Sequence, residues 1–229
     1  MGKTQTGEVP DFSNQWFPGQ AIDVVWNYKV MGIWQTDEAA EAAKYNLKPG
    51  DYKVVDINDD GKYVDLQDKQ FIGYTSPRYR LGLRNDFSFL KNFILSVFVR
   101  ADLGQIKSFS DAMNADYGVY DRANKTTGPV PYWTAENPNY EYPRLNPTSY
   151  GVFGGGLMIY KPCSFVRVQD VSLTYNLPSA VAQRLKLNSL QIFGSVRNLA
   201  TITKWPGCDP ESGMDPMPRT YTFGINFSL

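Results

Sequence analysis

The chain has 229 residues whose 23 basic side chains balance 23 acidic ones, with no Lys/Arg block able to follow a phosphate backbone, so no nucleic-acid partner is expected. It contains no histidine, which removes His-based acid/base catalysis, Ser-His and Cys-His nucleophiles and His-containing zinc sites. Aromatic residues make up 14% of the chain while the mean hydropathy is −0.38, a pairing that suits half-exposed strands. No apolar run is long enough for a membrane helix, and Met1-Gly2-Lys3-Thr4 lacks the apolar stretch of a secretory signal. Any membrane span must be made of strands, and any export signal is expected outside this chain.

The first predicted strand is Ile22 to Trp34, with less regular patterning than those that follow. A connection of mixed composition comes next, in which the Ala- and Glu-rich stretch Glu38 to Lys44 reads as a short helix. From Arg78 the period becomes two: Tyr79, Leu81, Leu83, Phe87 and Phe89 fall on one face, Arg78, Arg80, Arg84 and Asp86 on the other. Phe93 to Asp102 follows as a strand. Residues 128–162 are rich in Pro, Asn, Gly, Tyr and Trp without periodicity, and aromatics this dense argue for an ordered loop.

Phe165 to Tyr175 is a strand whose apolar phase shifts between Val168 and Val171, predicting a bulge near Gln169-Asp170. Pro178 to Leu187 predicts one short helix, with Pro178 at its start and Asn188 past its end. Leu190 to Ile202 is the fifth strand. In the sixth, Tyr221, Phe223, Ile225, Phe227 and Leu229 alternate with Thr220, Thr222, Gly224, Asn226 and Ser228. Most of these strands run about 10 to 13 residues, above the roughly five or six usual in soluble sheets and close to the span of a tilted strand in a bilayer. The connections alternate long and short, as in outer-membrane barrels with long external loops and short periplasmic turns; this places Leu229 on the periplasmic side.

Few motifs carry chemistry. Asp56, Asn58 and Asp60 before Gly61 match the opening of a calcium loop, with Asp65 and Asp68 as further ligands, although an EF-hand would want Glu where Gln67 stands. An Asx-rich turn held by its own hydrogen bonds is the equal alternative. Tyr132, Trp133, Tyr140, Tyr142 and Trp205 fall in predicted external loops, where flat rings stack on sugars or grip a peptide, or else pack within the loop or an interfacial belt. Arg78, Arg80, Arg84, Arg100 and Arg167 belong in a lumen or at its rims, since arginine facing lipid at the midplane costs about 2 to 4 kcal/mol. Cys163 and Cys208 are too few for a disulfide scaffold and are expected as isolated thiols, a single bridge being the alternative. Gly154-Gly155-Gly156 is too weak to signify phosphate binding, and no GxSxG, P-loop or GxGxxG phrase occurs, so no enzyme is expected.

Several phrases stand in a fixed order across residues 19–229. They are Lys48-Pro49-Gly50-Asp51-Tyr52-Lys53, Asp56-Ile57-Asn58-Asp59-Asp60-Gly61, Ile72-Gly73 and Phe87-Ser88-Phe89-Leu90-Lys91-Asn92-Phe93-Ile94-Leu95-Ser96-Val97-Phe98. Further on come Phe165-Val166-Arg167-Val168, Tyr175-Asn176-Leu177-Pro178, Arg197-Asn198-Leu199, Asp209-Pro210-Glu211 and Pro218-Arg219-Thr220-Tyr221-Thr222-Phe223-Gly224-Ile225-Asn226. Together, in this order and spacing, these phrases resemble the C-terminal part of the SusC/RagA family of TonB-linked outer-membrane receptors. The chain departs from the family in ending on Leu229 where an aromatic is usual, and in carrying Ala200 where Phe is common.

The resemblance implies an all-β fold: an antiparallel, up-and-down transmembrane barrel of about 22 strands, of which this chain would supply the last six or so, with long external loops. It further implies import of glycans or peptides, a SusD-like surface lipoprotein as partner, outer-membrane lipid around the wall, and coupling to TonB through an N-terminal part. Residues 1–229 are then read as the C-terminal portion of such a barrel, without plug domain, TonB box or signal peptide. Six strands cannot close a barrel, and an open edge in lipid leaves backbone groups unpaired at several kcal/mol each, so a fragment is expected. The competing class is a secreted β-sandwich carbohydrate-binding module, in which the same apolar face packs against a second sheet.

Overall fold

The computed structural model describes residues 9–109, 131–145, 147–148, 152–153, 157–213 and 215–229. Gly154-Gly155-Gly156 and the chain start lie outside the described residues. Two compact units emerge, Met1–Thr75 with Ile106–Lys161, and Ser76–Gln105 with Pro162–Leu229.

The first unit contains β1 (Val24–Tyr28), β2 (Val30–Ile33), helix α1 (Ala39–Lys44), β3 (Tyr52–Val54), helix α2 (Asp65–Asp68), β4 (Lys69–Tyr74) and β7 (Ile106–Ser108), which pairs with β8 (Tyr160–Pro162). The expected helix from Glu38 to Lys44 is present, entered through a 3-10 turn at Thr36–Glu38. The expected single strand from Ile22 to Trp34 is not. It breaks at Lys29 into β1, antiparallel to β4, and β2, antiparallel to β3. The physical cause is a lapse of alternation: Val24 and Val25 are both buried, and the ladders shift register at Val25/Trp26 and at Val30/Gly32.

Aromatic rings fill this unit's core. Tyr63 stacks between Tyr45 (4.5 Å) and Phe153 (5.2 Å), and Tyr28 meets both Tyr63 and Phe153 edge-on. Burial drives the Tyr28, Tyr52 and Tyr63 hydroxyls well above their ordinary range. Burial, and donation to Asp56, push Tyr45 up to about 12. An unfolded tyrosine ionises near 10, so this contribution to stability is complete below about pH 10 and is lost as pH climbs toward 12. Tyrosinate absorbance should therefore rise late and together with loss of near-ultraviolet circular dichroism; ionisation near pH 10 with the dichroism intact would contradict the burial described.

The second unit is one five-stranded antiparallel sheet built from β5 (Tyr79–Phe89), β6 (Phe93–Leu103), β9 (Phe165–Asn176), β10 (Ser189–Thr203) and β11 (Thr220–Ser228), in the order β11-β10-β9-β6-β5. Five strands, not six, therefore share this sheet. The connections keep the expected rhythm of a three-residue turn, a long excursion, a short stretch with helix α3 (Ser179–Arg184), and a second long excursion over 204–219. Pro178 caps α3 as its sequence predicts, but the helix stops earlier than expected. Lys186 takes a left-handed φ of 59°, and Asn188 donates to the Leu229 carbonyl instead.

Register assigns every side chain to a face. Tyr79, Leu81, Leu83, Phe87 and Phe89 lie in line with Val97, Val99, Val168, Leu173, Ile192, Phe223 and Ile225. Among the described residues of this unit no second sheet covers this face: Phe223 is 82% exposed and Leu83 60%. Such a contiguous apolar surface has no place in water. The β-sandwich alternative fails here, because its core would have to be this face. Gly194 leaves room for Phe223, whose ring carbons stand 3.3 Å from where a Cβ would sit.

Candidate functional site

The opposite face of the sheet is polar and holds the densest charge of the second unit. Three cross-strand rows define it: Arg80 beside Asp102, Arg100 beside Arg167, and Arg84, Phe98, Asp170 and Arg197 in line. The predicted bulge at Gln169 is what keeps this face polar on both sides of it, since Gln169 has no ladder partner and Val168 resumes the apolar phase. Two residues of β10, Asn198 and Leu199, oppose it, with Asn198 in a left-handed conformation (φ 55°) and its amide donating to the Pro218 carbonyl. Asparagine tolerates that backbone better than most residues.

Asp209 and Glu211, in the connection after β10, lie against this face in an ion network. Arg167, 1% exposed, donates from Nη2 to Asp209 Oδ2 at 2.6 Å and pairs through Nη1 with Glu211 at 3.1 Å. Arg100 donates to the same Glu211 carboxylate. Both guanidinium groups lie 5.2 Å from the Phe165 ring centroid, a cation–π arrangement that favours keeping two like charges side by side. Asp209 Oδ1 accepts the Glu211 and Ser212 amides, which shapes the turn that delivers Glu211. Two clefts open beside the network. One of about 420 Å³ is lined by Arg84, Phe98, Asp170, Phe193 and Arg197 among others; the second, of about 370 Å³, is lined by Arg80, Phe98, Arg100, Asp102 and Glu211.

The aromatic candidates separate. Trp205 belongs to the second unit and is buried, its indole N–H donating to the Gly213 carbonyl, so it packs the 204–219 segment instead of presenting a ring. Trp133, in the first unit, donates to Gln35 Oε1 and lies against Gly50, while Tyr142 carries Lys161 at 5.7 Å from its ring. Tyr132 is half-buried, and Tyr140, 72% exposed, is the one of the five with an open ring face. What sequence reasoning missed is Asp51. Fully buried, it accepts the Arg144 Nε and Thr148 amide through Oδ1 and the Lys48 amide through Oδ2, tying the 48–51 turn to Arg144 and Thr148. Its signal was present in the Pro-Gly-Asp turn phrase, but its partner is 93 residues away.

The acidic candidates for calcium spend their oxygens on amides and hydroxyls. Asp56 accepts Asp59, Gly61 and Tyr45; Asn58 and Asp60 close successive turns; Asp65 accepts Tyr28 and pairs with Lys69. Burial pushes the Asp56 carboxyl up, but the Gly61 amide and the Tyr45 hydroxyl outweigh it and hold the group below the usual carboxylate range. Asp68 is fully buried and accepts the Ile57 and Val64 amides at 3.0 and 2.7 Å. Asp68→Ala should destabilise the loop by about 2 to 4 kcal/mol, the cost of two stranded donors, and Asp68→Asn by less. Loss of hydrogen-exchange protection at the Ile57 and Val64 amides would register this; unchanged protection would rule it out. Cys163 is buried and Cys208 exposed, and the two do not form a disulfide.

A sheet with one face apolar and open, the other charged and partly covered by an inward-folded connection, is the wall of a transmembrane β-barrel of the outer-membrane type. Over 92% of its length the chain is 28% identical to TonB-dependent receptor P3 of Formosa agariphila, of which it covers 22%. Its fold is similar to the RagAB peptide importer in the open-open state, with TM-score 0.66, 19% identity, and coverage of 93% of this chain and 23% of that one. The RagAB peptide transporter gives TM-score 0.61, 21% identity, and 90% and 23% coverage. No protein-family model matches the chain. The resemblance to SusC/RagA-type receptors is thereby borne out, and the chain spans less than a quarter of the length of these relatives.

Proposed function

We infer that the chain forms part of the barrel wall of a TonB-dependent importer, moving glycans or peptides across the outer membrane by passage and not by catalysis. The observation that carries this reading is the two-faced sheet: apolar side chains open on one face, and five arginines with their acidic counterparts on the other. Hydrocarbon is the medium that suits the first face, and a wet lumen suits the second. The long connections then lie outside the cell, where a SusD-like lipoprotein would cap the barrel and Tyr140 would meet incoming polymer. TonB would act through a part of the receptor other than this wall. RagAB is a peptide importer, which favours peptide over glycan as cargo.

Growth tests this reading. Cells in which the encoding gene is deleted should fail to grow on one class of polymer, peptide or glycan, while growing normally on its monomers, and the intact gene should restore growth. Unimpaired growth on every polymer that the parent strain uses would remove the importer reading.

A further inference from the structure

The smaller cleft on the polar face is built around two arginines that are not fully used. Arg80 is exposed, and its side chain has no hydrogen bond or ion pair among the described residues. Arg100, two strand positions along the same face and one strand over, gives Nη2 to Glu211, while its Nε is buried without a partner. Arg167 Nε is likewise buried and unpartnered. The space between Arg80 and Arg100 is open, about 370 Å³, with Phe98 as an apolar floor. A guanidinium fork is shaped to take a carboxylate through two parallel N–H bonds, yet Arg100 offers Glu211 only one edge.

Glu211, which pairs with both Arg100 and Arg167, is the more exposed of the two acidic residues in the turn. Its side chain is 30% exposed, whereas Asp209 is 5% exposed and bound to the buried Arg167. A ligand carboxylate entering the cleft can thus displace Glu211 from Arg100 without breaking the Arg167–Asp209 anchor. Building on the importer reading, the geometry points to a solute-binding site in which Arg80 and Arg100 together clasp a carboxylate of an acidic polymer. Glu211 acts as the internal carboxylate that occupies Arg100 until the solute arrives. Its release leaves the turn anchored through Asp209 and moves the Glu211 carboxylate away from Arg100, so binding changes the charge and contacts beside Cys208.

Cys208 supplies the probe. It is exposed and adjoins Asp209, whereas Cys163 is buried, so an environment-sensitive fluorophore attached to the full chain in detergent micelles reports on the turn. Triglutamate and trigalacturonate should each be tested, with triglutamine as the uncharged control. A saturable signal with one or both acids, and none with triglutamine, is the expected result, and the tighter acid identifies a peptide or a uronic-acid source. Arg80→Gln, which removes no hydrogen bond or ion pair among the described residues, should weaken binding about tenfold, and Glu211→Gln should tighten it about tenfold by removing the competitor. An equal response to triglutamine, or weaker binding in Glu211→Gln, overturns the site. Loss of the signal in a strain whose polymer growth phenotype stands overturns this site alone, and a sound signal with no growth phenotype overturns the importer reading alone.

Discussion

Arg167→Met should lower the stability of the sheet-bearing unit by about 3 to 5 kcal/mol, because it strands the Asp209 carboxylate in a site from which water is excluded. Arg167 and Asp209 are 1% and 5% exposed and 2.6 Å apart, so neither charge can recover its hydration. Asp209→Ala should cost as much or more, since it also removes the acceptor for the Glu211 and Ser212 amides. Asp209→Asn keeps that acceptor and should be milder. Replacing both members, as Arg167→Met with Asp209→Leu, should recover part of the loss, because no unpaired charge is left behind. By contrast Arg100→Gln, at a pair about 30% exposed on both sides, should cost under about 1 kcal/mol after solvent screening. Urea unfolding of the full chain in detergent, followed by fluorescence of the buried Trp205, ranks these variants; Arg167→Met equal to wild type would mean that the network does not hold the connection.

The second large effect is Gly50→Ala. Gly50 has φ +88°, a region costly for any residue with a Cβ, and a Cβ built there would stand 2.5 Å from Trp133 Cε3 and 2.7 Å from Arg144 Cβ. Its amide donates to the Trp34 carbonyl and its own carbonyl accepts from the Arg144 amide, so three segments meet at this residue and none can yield alone. Conformational cost and overpacking together come to about 2 to 5 kcal/mol. Gly19 is the control, with φ +79° but nothing within 4 Å, and Gly19→Ala should cost only about 1 kcal/mol. Hydrogen exchange over residues 33–52 should show the first unit opening in Gly50→Ala and not in Gly19→Ala.

How much of this was legible depended on the range of the interaction. The alternation in Tyr79–Phe89 and Thr220–Ser228 is a local consequence of the pleat, so it survived intact into both faces of the sheet. The bulge at Gln169 was legible for the same reason, as a slip in phase within one strand. Its counterpart at Asn198 was not, because β10 carries enough small and polar residues to mask a slip. The division of Ile22 to Trp34 was hidden because β3 and β4 decide it from afar. The site itself was half legible: Arg80, Arg84, Arg100 and Arg167 were expected on a polar wall, but nothing local to Asp209 or Glu211 shows that they reach 42 residues back to Arg167 or 111 back to Arg100. Trp205 looked like a binding ring for want of that same information.

The two faces of the sheet should meet different media, and spin-label accessibility reads this directly. Nitroxides placed singly at Phe223 and Thr222, as Phe223→Cys and Thr222→Cys with Cys163 and Cys208 changed to serine, would be compared in outer-membrane preparations. The label at 223 should be reached by oxygen dissolved in lipid and shielded from a water-soluble nickel chelate, with the reverse at 222. Equal exposure of both labels to the chelate, or shielding of the label at 223 from both reagents, would contradict it.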